Sequence, residues 1–331
     1  MSAPIAAGVG APYARLLSVA SYVPSRVVDN AEMCTFIDSS DEWIQQRTGI
    51  AERRWVGEGE TVETMALAAA RTAVERAGID PADIGAVIVS TVTYFHQTPS
   101  LAAKLAYELG TNGAAFDISA ACAGFCYGLA QAESLVRSGA AKYAVVIGVE
   151  ELSRFTDIHD RSTAFLFADG AGAAVVGPSE TNGIGPVVWG SDGSQADAIN
   201  QTSEWSEAMQ GGTQPYIAMD GRAVFKWASG FIADATKKVL EVAQLSPEEL
   251  DVFIPHQANN RITDAMLRHL KLPENVVVAR TIKQFGNNSA ASVPMAMDQL
   301  LSTGQAKSGQ TALLIGFGAG LVYAGQVVTL P

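Results

Sequence analysis

Sulfur and basic charge are both scarce in this chain. Of 331 residues only three are cysteine, Cys34, Cys122 and Cys126, and four are histidine, His96, His159, His256 and His269. A small, odd cysteine count in a long chain points to free thiols in a reducing cytoplasm and excludes a disulfide scaffold. No C-x-x-C pair is present, so no structural zinc site is expected. Lysine and arginine number 22 against 34 aspartates and glutamates, a formal net charge of −12. Phosphate-binding surfaces need clustered cations, so nucleic acid is not an expected partner, and neither is an anionic membrane surface. No apolar run approaches the ~20 residues that cross a bilayer. The first residues, MSAPIAAGVGAPYARLL, lack the basic region of a secretory signal. At 48% hydrophobic the chain is too apolar for disorder and long enough for about two domains' worth of core.

The chain repeats itself. Residues 77–90, AGIDPADIGAVIVS, align with 243–256, AQLSPEELDVFIPH, at a shift of 166. Ala77 falls on Ala243, Pro81 on Pro247 and Ile88 on Ile254, with Asp83 on Glu249 and Ile84 on Leu250. An Ala-rich helical pattern precedes each copy, and an apolar strand ends each one. Further on, SGAAK (138–142) matches TGQAK (303–307) at a shift of 165, which places Cys122 opposite Asn287. Two copies of one α/β unit are the simplest reading.

Alternating patterns give strands at 86–92, 114–118, 143–149, 171–176, 251–255, 275–279, 311–316 and 321–329. Helices are expected near 62–78, 100–109, 122–138, 222–244, 260–270 and 290–303. Buried apolar strands alternating with helices imply sheets covered by helices. Two such halves related by pseudo-symmetry imply an α/β fold of five layers, α-β-α-β-α. The expected division is a flexible tail 1–11, a half at 12–178 and a half at 179–331, forming one compact body.

Three residues stand where chemistry is possible. Cys122 follows an apolar strand and precedes an amphipathic helix, so the helix dipole and free N–H groups there favour a thiolate. Its small neighbours Ala120, Ala121, Ala123 and Gly124 leave room for a substrate. The alternative is a small buried thiol, which is how Cys126 reads. His256 follows the strand-stopping Pro255 and faces the choice between general base or donor and a structural imidazole. Asn287 or Asn288 would serve as a helix cap before SAAS, yet the repeat sets Asn287 against Cys122. Gln257 and Asn259 read as loop-satisfying amides. The paired acids Glu150 and Glu151 read as solvating a strand end.

Six motifs together resemble one family: SSDEWIQQRTGI (39–50), DISAACAGF (117–125), FADGAGA (167–173), PHQANNRI (255–262), GNNSAAS (286–292) and GFGAGL (316–321). Over residues 12–331 the chain is similar to β-ketoacyl-acyl-carrier-protein synthase III, the initiating condensing enzyme of bacterial fatty acid synthesis. The resemblance implies the thiolase-like fold and a homodimer with no permanently bound cofactor or metal. Acyl-CoA would be substrate, and acyl-carrier protein, carrying phosphopantetheine, the partner. Cys122 would be the acylated nucleophile. His256 and Asn287 would bind the malonyl thioester carbonyl through decarboxylation. The N–H groups of Cys122 and Ala319 would form the oxyanion hole. Trp43, Arg47 and Arg161 match coenzyme A contacts, Phe225 and Arg261 the pantetheine tunnel and its mouth. Thr98 matches the position that closes the acyl pocket across the dimer. Arg222, Arg261 and Lys226 are the candidate basic patch for carrier-protein docking.

The chain departs from common family patterns at Arg222, where many members have Asn, and at Asn288, where many have Thr. Thr98 stands where some carry Phe, which leaves room for branched or longer starters. A close rival is a ketosynthase or acyltransferase that loads the starter of a polyketide or other specialised pathway. A degradative thiolase would need a second catalytic cysteine, and none follows Cys126. No motif supplies the catalytic glutamate of a hydroxymethylglutaryl synthase. No G-x-S-x-G occurs, so a serine hydrolase is not supported. GFGAGL lies between two strands, so it is not a dinucleotide loop. A non-catalytic acyl-CoA or carrier-protein binding module would not need the Cys–His–Asn set.

Overall fold

The computed structural model describes residues 5–6 and 8–331. Residues 1–4 and 7, part of the expected flexible tail, lie outside the described residues. The two main sheets hold ten strands: β1 Tyr13–Tyr22, β2 Ile84–Ser90, β3 Ala114–Ile118, β4 Tyr143–Glu151, β5 Asp169–Ser179, β6 Val188–Gly190, β7 Val252–Pro255, β8 Val277–Val278, β9 Thr311–Gly318 and β10 Val322–Thr329. One sheet runs β1-β5-β4-β2-β3 and the other β6-β10-β9-β7-β8. Adding five to every strand of the first order gives the second, so the halves share one topology. In both, the β2-like strand pairs in parallel with two neighbours, and the remaining pairings are antiparallel.

Six helices complete the repeat: α1 Val62–Ala77, α2 Leu101–Leu109, α3 Gly124–Ser138, α4 Ala233–Ala243, α5 Asn260–Leu270 and α6 Ser292–Ser302. Side chains alternate across a strand, and this alternation builds the layers. In the first sheet Ile88, Ala144 and Val146 face inward onto Phe125 and Leu129 of α3 and Val293 and Met297 of α6. Val87, Val89, Val145 and Ile147 face outward onto α1 and α2. In the second sheet Phe253, Leu313 and Ile315 meet α4 and α5 on the outer side. The result is the five-layer sandwich with α3 and α6 in its middle. Alanine makes the outer packing close: Ala66, Ala69, Ala70 and Ala73 of α1 are fully buried against the sheet.

The repeated segment 77–90 keeps its expected equivalence. Ala77 and Ala243 end α1 and α4, and Pro81 and Pro247 open matching 3-10 turns. The helix caps sit 166 residues apart in the left-handed conformation, Gly78 at φ 64° and Gln244 at φ 57°. Gly adopts that geometry without a Cβ penalty, whereas Gln244 occupies it at a steric cost. The predicted helix 222–244 is three pieces, Gly221–Trp227, a π turn Ala228–Ile232 and α4. The sequence patterns missed the first strand of each half, β1 and β6. β6 is three residues long, and β1 carries an irregular register between Leu16 and Ser18. Two small ribbons were also missed, Arg26–Asp29 with Glu52–Trp55 and Ile199–Gln201 with Ile217–Met219. No helix among the described residues is long and apolar enough to cross a membrane.

Candidate active site

Cys122 sits in a 3-10 turn, Ala121–Ala123, between the end of β3 at Ile118 and the start of α3 at Gly124. Ala121 takes a left-handed φ of 44°, a strain tolerated where surrounding structure fixes the backbone. Glycine allows the close approaches that hold the turn. A Cβ on Gly124 would lie 1.6 Å from Ser90 Oγ. A Cβ on Gly318 would lie 2.8 Å from Cys122 Sγ and 3.1 Å from its backbone nitrogen. The end of β9 therefore presses directly on the cysteine and brings Ala319 beside it.

A matching turn, Ser289–Ala291, precedes α6, with Ser289 at φ 46°. The two turns touch near the pseudo-twofold axis. This corrects the sequence alignment: the counterpart of Cys122 is Ala290, at a shift of 168, and not Asn287. The helices differ in length, 15 residues in α3 against 11 in α6. A register fitted at their C-terminal ends therefore slips by three residues at their starts. Asn287 still reaches the site, three residues ahead of that counterpart.

The expected thiolate is also corrected. Burial pushes the Cys122 thiol up to about 12, and the charge of Glu150 adds to the rise. A hydrogen bond from Ser289 and the cysteine's own N–H work in the opposite direction without overcoming it. Helix N-terminal partial charges favour an anion by about 1 kcal/mol, which is small against dehydration of a buried sulfur. Cys122 therefore rests as a thiol. Cys126, likewise pushed up to about 12 by burial, lies in the central core as expected.

His256 follows β7 and is buried, which drives its pKa down to about 3 and keeps the imidazole neutral. Its Nδ1 lies 2.7 Å from Ser292 Oγ. That oxygen accepts from the Gln257 N–H at 3.4 Å, so its own proton is free to go to Nδ1. With Ser292 donating there, Nε2 would carry the ring hydrogen and be the donor to the site. Phe317 packs against the ring edge-to-face at 5.4 Å between centroids and fixes its plane. Asn287 is oriented the same way: its Oδ1 accepts the Ser289 N–H at 2.9 Å, so its NH2 is left for the site. Its backbone is clamped to Leu166 and Ala168. Asn287 thus combines a cap-like contact with a free donor. The neighbouring Asn288 turns away, donating to Asp169 and Phe285 carbonyls. Gln257 bonds Pro255, Ala279 and Ile282, and Asn259 caps α5, as loop amides should.

One cavity of about 1000 Å³ collects these groups. Cys122, His256, Asn287 and Ala319 line it together with Trp43, Arg47, Arg222, Phe225 and Arg261. Arg47 and Arg161 both stack on the Trp43 ring, at 5.5 and 5.4 Å from its centroid, and Arg261 stacks on Phe225 at 5.4 Å. Arg161 reaches the site through that ring and does not line the cavity itself. Thr98 and Lys226 are exposed and outside it. Among the described residues, no cluster of His, Cys, Asp and Glu could hold a metal ion. The reading of Glu150 as a solvated acid is overturned: it is fully buried, while Glu151 beside it is half-buried. Sequence patterns also missed Ser289 and Ser292, although both stand in the GNNSAAS motif.

The doubled five-layer sandwich is the thiolase-like fold, and a cysteine at the start of a central helix marks its condensing enzymes. Comparison with known proteins narrows this class. Two family descriptions match, 3-oxoacyl-[acyl-carrier-protein] synthase III over residues 116–193 and its C-terminal part over 240–330. A β-ketoacyl-[acyl-carrier-protein] synthase III of Streptomyces glaucescens is 56% identical, covering 97% of this chain and 98% of the relative. The priming β-ketosynthase of the R1128 polyketide pathway superposes with a TM-score of 0.96 at 47% identity, over 99% of both chains. The 3-oxoacyl-[acyl-carrier-protein] synthase III of Aquifex aeolicus superposes at 0.88 with 38% identity, over 96% of this chain and 99% of that one. The chain belongs to the β-ketoacyl-acyl-carrier-protein synthase III family. It is accordingly an acyl-transferring condensing enzyme.

Proposed function

We propose that this protein condenses an acyl-CoA starter with malonyl-acyl-carrier protein by a two-stage, ping-pong route. In the first stage Cys122 attacks the acyl-CoA thioester and coenzyme A departs. The tetrahedral oxyanion is met by the N–H groups of Cys122 and Ala319. In the second stage the phosphopantetheine arm of malonyl-carrier protein enters the same cavity. His256 Nε2–H and the Asn287 amide donate to the thioester oxygen as CO2 leaves, and the resulting enolate carbon attacks acyl-Cys122. The products are 3-oxoacyl-carrier protein, coenzyme A and CO2. The observation that carries this reading is the gathering of His256, Asn287 and the cysteine around one cavity, with the two side chains oriented by Ser292 and the Ser289 N–H. A neutral His256 suits donation to an enolate oxygen and is a poor base.

Trp43, Arg47 and Arg161 would hold the nucleotide end of coenzyme A, with Phe225 and Arg261 along the pantetheine arm. Thr98 is exposed in a single chain, so its part in the acyl pocket requires a second copy, and we read the working unit as a homodimer. Each copy would be one body whose halves meet near residue 178, working in the cytoplasm. A second reading, starter loading for a specialised pathway, is favoured by the 0.96 match to a priming β-ketosynthase.

Three variants test the assignment. Cys122→Ser should take up no acyl group from labelled acyl-CoA; retained acyl-enzyme contradicts the nucleophile. His256→Ala and Asn287→Ala should each still acylate Cys122 but release CO2 from malonyl-carrier protein at least ~100-fold more slowly, the usual scale for losing one oxyanion donor. Undiminished CO2 release refutes their role.

A further inference from the structure

The small ribbon of Arg26–Asp29 and Glu52–Trp55 carries a fully buried cation, Arg53, that the reaction itself does not use. Its guanidinium donates to neutral oxygens: Nη1 to the Val28 carbonyl at 3.1 Å, and Nη2 to Asn30 Oδ1 at 2.6 Å and to the Phe165 carbonyl at 3.2 Å. Burial pulls its pKa down to about 10, so it stays charged near neutral pH. A buried cation met by neutral acceptors costs stability that an apolar side chain of similar size would not. Packing alone does not account for it; its contacts do.

One contact runs to the segment behind the cavity wall. Arg53 and Trp55 are the buried side chains of their strand and share one face. Trp55 Nε1 donates to the Phe167 carbonyl at 3.3 Å, so the ribbon holds the carbonyls of both Phe165 and Phe167. The alternate groups of that segment hold Asn287: the Leu166 carbonyl accepts its N–H and the Ala168 N–H donates to its carbonyl, both at 2.9 Å. Gly286, at φ 67°, closes the sandwich, since a Cβ there would lie 2.9 Å from both Arg53 Cβ and Ala168 Cβ. The other contact runs to the helix Asp41–Thr48, which carries Trp43 and Arg47. Asn30, accepting from Arg53, donates through Nδ2 to Asp41 Oδ1 at 2.7 Å and to the Ile50 carbonyl at 2.9 Å. It thus grips that helix at its start and just past its end. The two arms meet again at the cavity, where Phe165 packs edge-to-face on Trp43 at 5.4 Å between centroids.

We propose that Arg53 is a positioning residue that locks the helix bearing Trp43 and Arg47 and the segment holding Asn287 into one arrangement. It touches neither substrate nor sulfur. Its planar fork serves both arms at once, which a lysine ammonium on a flexible stem does not reproduce. The proposal rests on the reading of Trp43 and Arg47 as coenzyme A contacts and of Asn287 as a donor in decarboxylation.

Two constants read the two arms: the KM for acyl-CoA in rapid-quench acylation, and the rate of CO2 release from malonyl-carrier protein per acylated site. Neither depends on the yield of folded enzyme. Arg53→Lys should raise that KM about fivefold and slow CO2 release ~10-fold, with acylation at saturating acyl-CoA within about twofold of wild type. Asp41→Ala cuts the helix arm alone. It should raise the KM to a similar degree and spare CO2 release, because the carrier-protein arm brings no nucleotide. Asp41→Asn keeps the acceptor and should restore the KM. Arg47→Ala and Asn287→Ala are the references: an unchanged KM in the first or unchanged CO2 release in the second overturns the functional reading itself. With both references responding, an Arg53→Lys enzyme in which either constant stays at the wild-type value overturns the joint role, whatever its yield. If Arg53→Lys does not fold, the Asp41 pair decides alone, and an unchanged KM in Asp41→Ala or no rescue in Asp41→Asn overturns the proposal.

Discussion

At the residue scale the site is built from groups whose pKa values burial moves out of their ordinary range. Burial leaves Cys122 protonated, His256 neutral and Glu150 poised near neutrality. Such tuning is the mark of reacting centres, and it has a cost in stability. For a carboxyl whose folded pKa is raised, the native state holds the proton more tightly than the unfolded chain. Its stabilising share is therefore present below the unfolded value near 4.5 and lost as pH rises through about 7. Asp169, raised to about 6 by burial, acts in the same sense. Wild type should thus lose stability between pH 5.5 and pH 8. Glu150→Gln should be more stable than wild type at pH 8, by on the order of 1–3 kcal/mol, with the gap shrinking by roughly half at pH 5.5. Urea denaturation at the two pH values checks this; parallel pH slopes for both proteins would contradict it.

At the element scale the sequence was most readable where it repeats. The helices other than 222–244, the Pro-led turns after α1 and α4, and the apolar strands β2–β5 and β7–β10 follow from periodicity, within a few residues at their ends. What escaped has physical reasons. β1 has an irregular register and β6 is only three residues long, so neither gives a clean alternation. The apolar pattern of β4 ends at residue 149, which makes Glu150 look like a solvated strand end, whereas the strand runs to Glu151. Two further residues of strand turn Glu150 inward and Glu151 outward. The position of Cys122 is legible from its small neighbours, but its partner in the repeat is not found by a shift fitted at the C-terminal ends of two helices of unequal length. The close approach of β9 to the nucleophile gives a prediction at this scale. Gly318→Ala would place a Cβ 2.8 Å from Cys122 Sγ. Since Gly318 has an extended backbone that any residue adopts, the variant should fold while its acylation falls at least tenfold. An unchanged acylation rate would show that the turn yields freely. Gly148→Ala, which would collide with the Ala290 carbonyl, should lower stability by ~1–3 kcal/mol in thermal unfolding.

At the scale of the whole molecule, a chain of net charge −12 must meet a carrier protein that is itself expected to be acidic. Mean charge opposes the encounter, so docking depends on local cations. Arg222 and Arg261 stand at the cavity, and Lys226 lies exposed one helical turn from Arg222. Lys226→Glu should raise the KM for malonyl-carrier protein ~3- to 10-fold, an effect that shrinks with salt, while acylation by acyl-CoA is spared. An unchanged KM places docking elsewhere. The central claim joins both halves of the molecule in one reaction, cysteine from the first and two donors from the second. A single-turnover experiment tests it most directly. The enzyme is loaded with acyl-CoA, freed of excess, and mixed with malonyl-carrier protein while acyl mass and CO2 are followed together. The expected result is loss of the acyl mass from Cys122 in step with one CO2 and one 3-oxoacyl-carrier protein. Acyl mass leaving without CO2, or CO2 released while the acyl mass stays on the enzyme, would contradict it.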